Sequence, residues 1–364
     1  MSDEKKAEPI FNHLIIGLGG TGGKTILALR RTIYEEYRKK DPVISHREDN
    51  GTDSERAHPM KLGYLYVDSS SELMTPDHAS WKIPGDSLQL GRSSQLLIKG
   101  ENLAGVLENL GAHPNISPWI GDRAEWRDIL GSVIGEALGG QKRRLGRFLF
   151  ACRARNGFEK RLTDQVQALR AGRRNAVTFH ICAGLAGGTG SGSFVDVITQ
   201  IRKLFPEEEN RVVLYFLLPE DTPPGDWNTG NYHSNGYGAL VELNALSVQS
   251  FFPHDVADGG RRFPFRDSSG TPTPPFSGAY LFTNVNENGN VLRRSGDPLE
   301  DGPPKILANF LFQKIVVCGT TPWEEELRKM ENAENGDGTP ESVAGTNLPQ
   351  RSKRFLGFGI KRLI

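Results

Sequence analysis

The chain has 364 residues, with 44 Lys+Arg against 44 Asp+Glu and therefore no formal net charge. That length accommodates one large or two modest domains, and the charge balance removes the electrostatic case for nucleic acid or an anionic membrane as the main partner. Three scattered cysteines, Cys152, Cys182 and Cys318, argue against a disulfide framework and for a reducing cytoplasm. No run of about 18 apolar residues occurs, so membrane insertion is not expected. Glycine, at 42 residues, exceeds its usual ~7% and is concentrated in a few loops.

Residues 1–10, MSDEKKAEPI, are polar, lack an apolar signal region and are expected to be disordered. His13 to Gly17, HLIIG, reads as a short buried strand entering GLGGTGGKT at Gly17 to Thr25, and Ile26 to Tyr37 then has helical character. As a dinucleotide fingerprint, Gly17, Gly19 and Gly22 satisfy G-x-G-x-x-G. The acid at the end of the next strand (Lys61 to Val67) is Asp68, however, far beyond the ~20-residue spacing that fingerprint needs. As a Walker loop, Gly23-Lys24-Thr25 wants a glycine where Leu18 stands, so Lys24 would not be aimed at phosphates in the usual way. Residues 40–60 form a polar loop without periodicity. KLGYLYVDSSSEL, 61–73, is a strand with a polar carboxyl end, where parallel sheets bind ligands. Asp68 at that end is either a turn cap or a site residue. Trp81, Trp119 and Trp126 read as core or lid aromatics. ALGGQKRRLGRFLF, 137–150, places Lys142, Arg143 and Arg144 in a loop before a helix expected over 145–169. They are either a solvated basic turn or cations beside a phosphate.

The densest glycine segment follows, in VTFHICAGLAGGTGSGSFVDVITQIR at 177–202. Val177 to Ala183 is a doubly buried strand, the loop Gly184 to Gly192 is mostly glycine, and Phe194, Val195, Val197, Ile198 and Ile201 share one helical face. Such a junction lets backbone N–H groups and a helix N-terminus converge on phosphate oxygens, and Thr189, Ser191 and Ser193 add hydroxyls. RVVLYFLLP, 211–219, is another buried strand. The segment 251–278, crowded with Gly, Pro and aromatics, is expected to be an exposed insertion. AYLFTNVNEN, 279–288, is a strand with a polar turn, in which Tyr280 and Asn284 share one face. PKILANFLFQKIVV, 304–317, opens with Pro at a helix start. TPWEEELRKMENAE reads as a charged helix capped by Thr320 or Thr321, residues 331–352 as a linker, and residues 353–364, ending in RFLGFGIKRLI, as the first strand of a further domain.

GLAGGTGSGS resembles the GGGTGSG signature of the tubulin/FtsZ family, with Ala186 where the family has its first glycine. GLGGTGGKT is similar to the first phosphate loop of FtsZ, with Lys24 where FtsZ often has Asn. The resemblance implies a Rossmann-like α/β fold, a parallel sheet flanked by helices over residues 11–303, and a central helix and charged helix over 304–330. It implies GTP or GDP as ligand, with Mg2+ held indirectly, through water, by Asp68. Phosphate contacts fall on Gly19, Gly20, Thr21, Gly22, Gly139, Gly140, Gln141, Gly187, Gly188, Thr189, Gly190 and Ser191. Ribose and base contacts fall on Glu220, Asp221, Asn235, Tyr280 and Asn284. In the family, the groups that polarise the attacking water come from the neighbouring subunit of a head-to-tail homopolymer. Glu325 and Asp337 are the substitutes available here, and neither forms a clean motif. The alternatives are a nucleotide-binding scaffold without turnover, a deviant P-loop ATPase using Lys24, and a Rossmann oxidoreductase.

Overall fold

A computed structural model describes residues 11–41, 60–99, 102–122, 125–126, 141–171, 175–207, 209–223, 230–267, 269–285, 288–291, 302–317, 329, 341–342 and 349–351. Six apolar runs pair as one parallel sheet: β1 (Phe11–Leu18), β2 (Met60–Asp68), β3 (Gln95–Leu97), β4 (Val177–Gly184), β5 (Arg211–Leu217) and β6 (Gly278–Phe282). Their spatial order is β3-β2-β1-β4-β5-β6. The chain lays strands outward from β1 in one direction and then, from β4, in the other. This leaves a topological switch between β1 and β4, where open α/β sheets form a crevice at the strand carboxyl ends. Ile15 of β1 lies opposite Tyr64 on one side and His180 on the other.

The strands are covered on both faces, which is why they read as near-continuous apolar runs; every residue of β5 is buried. Alternate residues of β1 serve different cores, as a strand's period of two requires. Leu14 and Ile16 join Phe148, Phe179, Phe194 and Phe216. Ile15 joins Ile26, Tyr66, Tyr215, Tyr280 and Leu307. The first core lies under α3 (Arg143–Arg153), α4 (Lys160–Arg170), α5 (Gly188–Leu204) and α6 (Tyr232–Ser247); the second under α1 (Gly19–Tyr37) and α7 (Pro303–Leu311). Here α2 is the short helix Leu103–Glu108. A π-type stretch, Ala154–Glu159, joins α3 to α4, and another, Phe312–Val317, extends α7.

The structure departs from the sequence expectations in three places. First, α1 begins at Gly19 and α5 at Gly188, so both helices start inside the glycine segments rather than after them. Second, the segment 251–278 is not an exposed insertion. Val256, Phe265 and Phe276 are at most 2% exposed and join the first core, because an irregular chain can still anchor its aromatics beneath a helix. Third, Glu341–Ser342 and Pro349–Arg351 pair antiparallel within the stretch read as linker. The charged helix after residue 317, apart from residue 329, and the expected terminal strand lie outside the described residues. Among the described residues no helix is long and apolar enough to cross a membrane.

Candidate functional site: a cavity between two helix N-termini

β1 runs directly into α1. Leu18 is the N-cap, no side chain caps the helix, and its first turn holds no acidic residue. Gly19 takes φ 67°, a left-handed conformation that glycine adopts without a Cβ penalty. β4 meets α5 in the same way: Gly187 is the N-cap, again with no capping side chain and no acid in the first turn. The first N–H groups of a helix lack intrahelical partners and carry its positive dipole end. Two such ends, uncapped by side chains, are therefore brought together.

They are also in contact. A Cβ on Gly19 would lie 3.4 Å from the Gly190 nitrogen, and one on Gly190 would lie 3.2 Å from the Leu18 carbonyl oxygen. Both segments open on one cavity of about 470 Å³, lined by Gly19, Gly20 and Thr21 from α1 and by Gly187, Gly188, Thr189 and Gly190 from the signature segment. Gln141 lines it from the loop before α3, and Asp68 from the end of β2. Gly22 does not line it. A Cβ there would sit 2.6 Å from the Cys182 carbonyl, so this glycine lets α1 press onto β4.

Asp68 is 5% exposed and ties β2 to the signature segment. Its Oδ1 accepts from the Ser69 and Ser70 amides, at 2.7 and 3.2 Å, and from the Thr189 hydroxyl at 3.4 Å. Its Oδ2 accepts from the Tyr66 hydroxyl at 2.7 Å. Burial raises the Asp68 pKa above the ordinary carboxylate value, against these hydrogen bonds, which lower it. With one bond on Oδ2, that oxygen retains a lone pair for a metal-bound water. Mg2+ keeps several waters and needs only one or two carboxylates beside substrate phosphates, so the donors present fit it. Besides Asp68, Glu72 is the carboxylate lining the cavity among the described residues, and Lys24 and Lys142 are the lysines.

A family model described as Tubulin like matches residues 14–364. The chain belongs to the tubulin-like family. Among solved structures, the tubulin-like chain is similar to CetZ from Methanosaeta thermophila, with 13% identity, 90% of this chain and 60% of that one covered, and a TM-score of 0.47. It is similar to CetZ2 from Haloferax volcanii, described as a GTPγS-bound protofilament, with 12% identity, 89% and 64% covered and a TM-score of 0.43. It is also similar to a single-substitution FtsZ mutant from M. jannaschii, with 14% identity, 89% and 63% covered and a TM-score of 0.43. The chain spans less than two thirds of the length of each. No curated protein matches the sequence.

Other residues singled out in this tubulin-like sequence take different places. Ser191 does not line the cavity; its hydroxyl donates to the Gly187 carbonyl, and that of Ser193 to the Thr189 carbonyl at 2.7 Å. Both serines bond one helical turn back, so their hydroxyls are already engaged. Asn235 is 7% exposed, and its Nδ2 donates to the carbonyls of Gln141 and, at 2.9 Å, Ala186. Glu220 is buried beneath the first turn of α6, where its carbonyl lies 2.9 Å from the His233 Nε2, and Asp221 is exposed. Tyr280 is stacked on Tyr215 at 5.2 Å, with Phe310 at 5.3 Å, inside the second core rather than along the cavity. Asn284, two residues beyond β6, is 6% exposed, lies outside the cavity lining, and its Oδ1 has no hydrogen-bond partner among the described residues. Gly139, Gly140, Glu325 and Asp337 lie outside the described residues.

Sequence reasoning missed Tyr66, Tyr232 and Pro304, which also line the cavity. For Tyr66 a signal existed: two positions before Asp68, it shares that residue's face of β2. Tyr232 and Pro304 open helices that are distant in sequence, and no local pattern places them at one site.

Proposed function

We propose that the protein binds GTP and GDP in this cavity, with Mg2+ held through water by Asp68, and that it assembles head-to-tail with copies of itself in the cytoplasm. The observation that carries this reading is the meeting of two uncapped glycine-rich helix starts, more than 160 residues apart in sequence, around one cavity of about 470 Å³. Backbone amides from both would hold the β- and γ-phosphates, with Gln141 and Lys142 beside the terminal group. The metal, when bound, would neutralise charge on the phosphates. Guanine preference follows from the family resemblance. It is assigned to Asn284, which lies beyond the end of β6 and outside the cavity lining, with an Oδ1 that has no partner among the described residues. Tyr280 is proposed to back that end of the sheet from within the second core.

Hydrolysis is proposed to be completed by acids of the neighbouring subunit, with Glu325 and Asp337 as the candidates in this sequence. Binding is the better supported half of the proposal. A nucleotide-binding scaffold without turnover would assemble with GTP but release no phosphate.

Lys24 lines the same cavity and keeps a second reading in play, a P-loop-like ATPase centred on that lysine. One experiment separates the two. Purified protein is analysed for retained nucleotide, then titrated with GTP, GDP and ATP with and without Mg2+, while light scattering follows assembly. Preference for GTP, and loss of binding on substituting Gly188 by Val, are expected. Preference for ATP, with loss on Lys24→Ala and no effect at Gly188, would replace the proposal by the second reading.

A further inference from the structure

The glycines at 192 and 238 contribute nothing to the cavity lining, yet both sit inside helices, where glycine costs roughly 1 kcal/mol relative to alanine. One arginine accounts for both. A Cβ on Gly192 would lie 2.3 Å from the Arg143 carbonyl oxygen, and one on Gly238 would lie 2.7 Å from the Arg143 Nη1. At Gly192 the space is taken by the α3 backbone at residue 143, and at Gly238 by the Arg143 side chain, 19% exposed, which passes between α5 and α6.

We propose that Arg143 is a positioning residue for the nucleotide site, fixing the first turn of α5 against α6; the proposal rests on the nucleotide-binding reading above. Its Nε and Nη2 both donate to the Ser191 carbonyl, at 3.2 and 3.0 Å, and Nη2 also donates to the Glu242 carboxylate of α6. Ser191 directly follows Gly188, Thr189 and Gly190, three of the cavity-lining residues. A charged two-pronged donor on one carbonyl is stronger and more directional than a neutral hydrogen bond. Arg143 itself follows Gln141 and Lys142, which line the cavity from the other side. The same arginine thereby fixes two walls of the site while touching neither the cavity nor a ligand. α6 provides a second brace through Asn235, which joins the Gln141 and Ala186 carbonyls. The Arg143 brace is not visible in a motif search, because Arg143 sits in a run of basic residues that reads as a solvated turn.

The test uses the full chain and four proteins: wild type, Arg143→Ala, Arg143→Lys and Glu242→Gln. Amide hydrogen exchange over 186–193 is measured without ligand, and the Kd for a fluorescent GTP analogue is measured in parallel. Arg143→Ala is expected to speed exchange over 186–193 selectively and to raise Kd about tenfold, the loss typical of hydrogen bonds from a charged group. Arg143→Lys, with one compact charge in place of the fork, should restore the pairing with Glu242 but stay close to the alanine variant in Kd. Glu242→Gln should fall between wild type and Arg143→Ala. An unchanged Kd, or exchange that rises uniformly through α3 and α6, would mean that Arg143 only stabilises the fold, and would overturn the proposal. If wild type binds no nucleotide, the proposed function fails separately. The exchange measurement then still decides: unaltered protection over 186–193 in Arg143→Ala overturns the positioning role.

Discussion

At the scale of single residues, Asp68 is where stability and function oppose each other. Burial raises its pKa, so the folded protein binds that proton more tightly than the unfolded chain does. The stabilisation this gives is fully present below the ordinary carboxylate pKa and is lost as pH rises through the folded-state value. Ionising Asp68 in the folded state is therefore a cost, carried for what the carboxylate can hold. Asp68→Asn keeps an oxygen for the Ser69 and Ser70 amides and removes the charge. It should melt higher than wild type at pH 7 without ligand, bind Mg2+-nucleotide more weakly, and lose the difference in melting at low pH. Calorimetry at two pH values, together with nucleotide titration, checks all three. Asn235→Ala removes a donor from the buried Ala186 carbonyl, worth roughly 1–3 kcal/mol when left unsatisfied, and another from the half-buried Gln141 carbonyl. Denaturant unfolding should register that loss, and nucleotide affinity should fall with it. The role of Asp68 was legible from its place at a strand's polar end. That of Asn235 was not, because its partners are backbone carbonyls contributed by two remote loops.

At the scale of elements, the helices α1 and α7 lie on a sheet face that carries a buried polar chain. His13 Nδ1 lies 3.0 Å from His180 Nε2, His180 Nδ1 lies 3.1 Å from the Tyr215 hydroxyl, and Lys314 Nζ donates to that hydroxyl at 3.0 Å. Lys314 also reaches the Tyr280 hydroxyl at 3.4 Å and lies over its ring, so the π-type end of α7 is tied to β5 and β6. Burial, then the neighbouring His13, Lys314 and Arg211, lower the His180 pKa well below its usual value. The unfolded chain thus takes up a proton that the folded chain refuses. Stability is intact above about pH 6.5 and falls as pH drops below it, by up to about 1.4 kcal/mol per pH unit for one such group. His180→Phe should flatten that slope, as measured by urea unfolding between pH 5 and 7. Five of the six strands were legible because a doubly covered parallel strand is a continuous apolar run and a flanking helix an apolar stripe; β3, three residues opening with Gln95, is too short to show either pattern. Tyr280 shows the limit of that reading. Its spacing to Asn284 says that the two share a strand face, but not whether that face looks onto a ligand or onto Tyr215, Phe310 and Lys314.

At the scale of the whole molecule, the two cores lie on opposite faces of the sheet, residues of both line the cavity, and the cavity lies where the strand order reverses. A ligand there touches α1, which packs on the second core, and α3 and α5, which pack on the first, so its binding energy is spread over both faces. At one hundred times its Kd, a ligand specific for the folded state adds about 2.7 kcal/mol of stability, a rise of a few degrees in Tm for a chain of this size. GTP and GDP should both give that rise; guanosine, lacking phosphates, should not. On the first-core side, α3 approaches the signature segment most closely at Gly146, where a Cβ would stand 2.2 Å from the Gly188 carbonyl oxygen. Gly146→Ala must push α3 away from the signature segment, since backbone and not a flexible side chain blocks the methyl. The variant should still fold, at reduced stability, because the sheet and the second core are untouched, but its melting temperature should no longer respond to GTP. A Gly146→Ala protein that kept the full GTP-induced shift would show that α3 and the signature segment bind nothing in common, and the single cavity would then have no functional meaning.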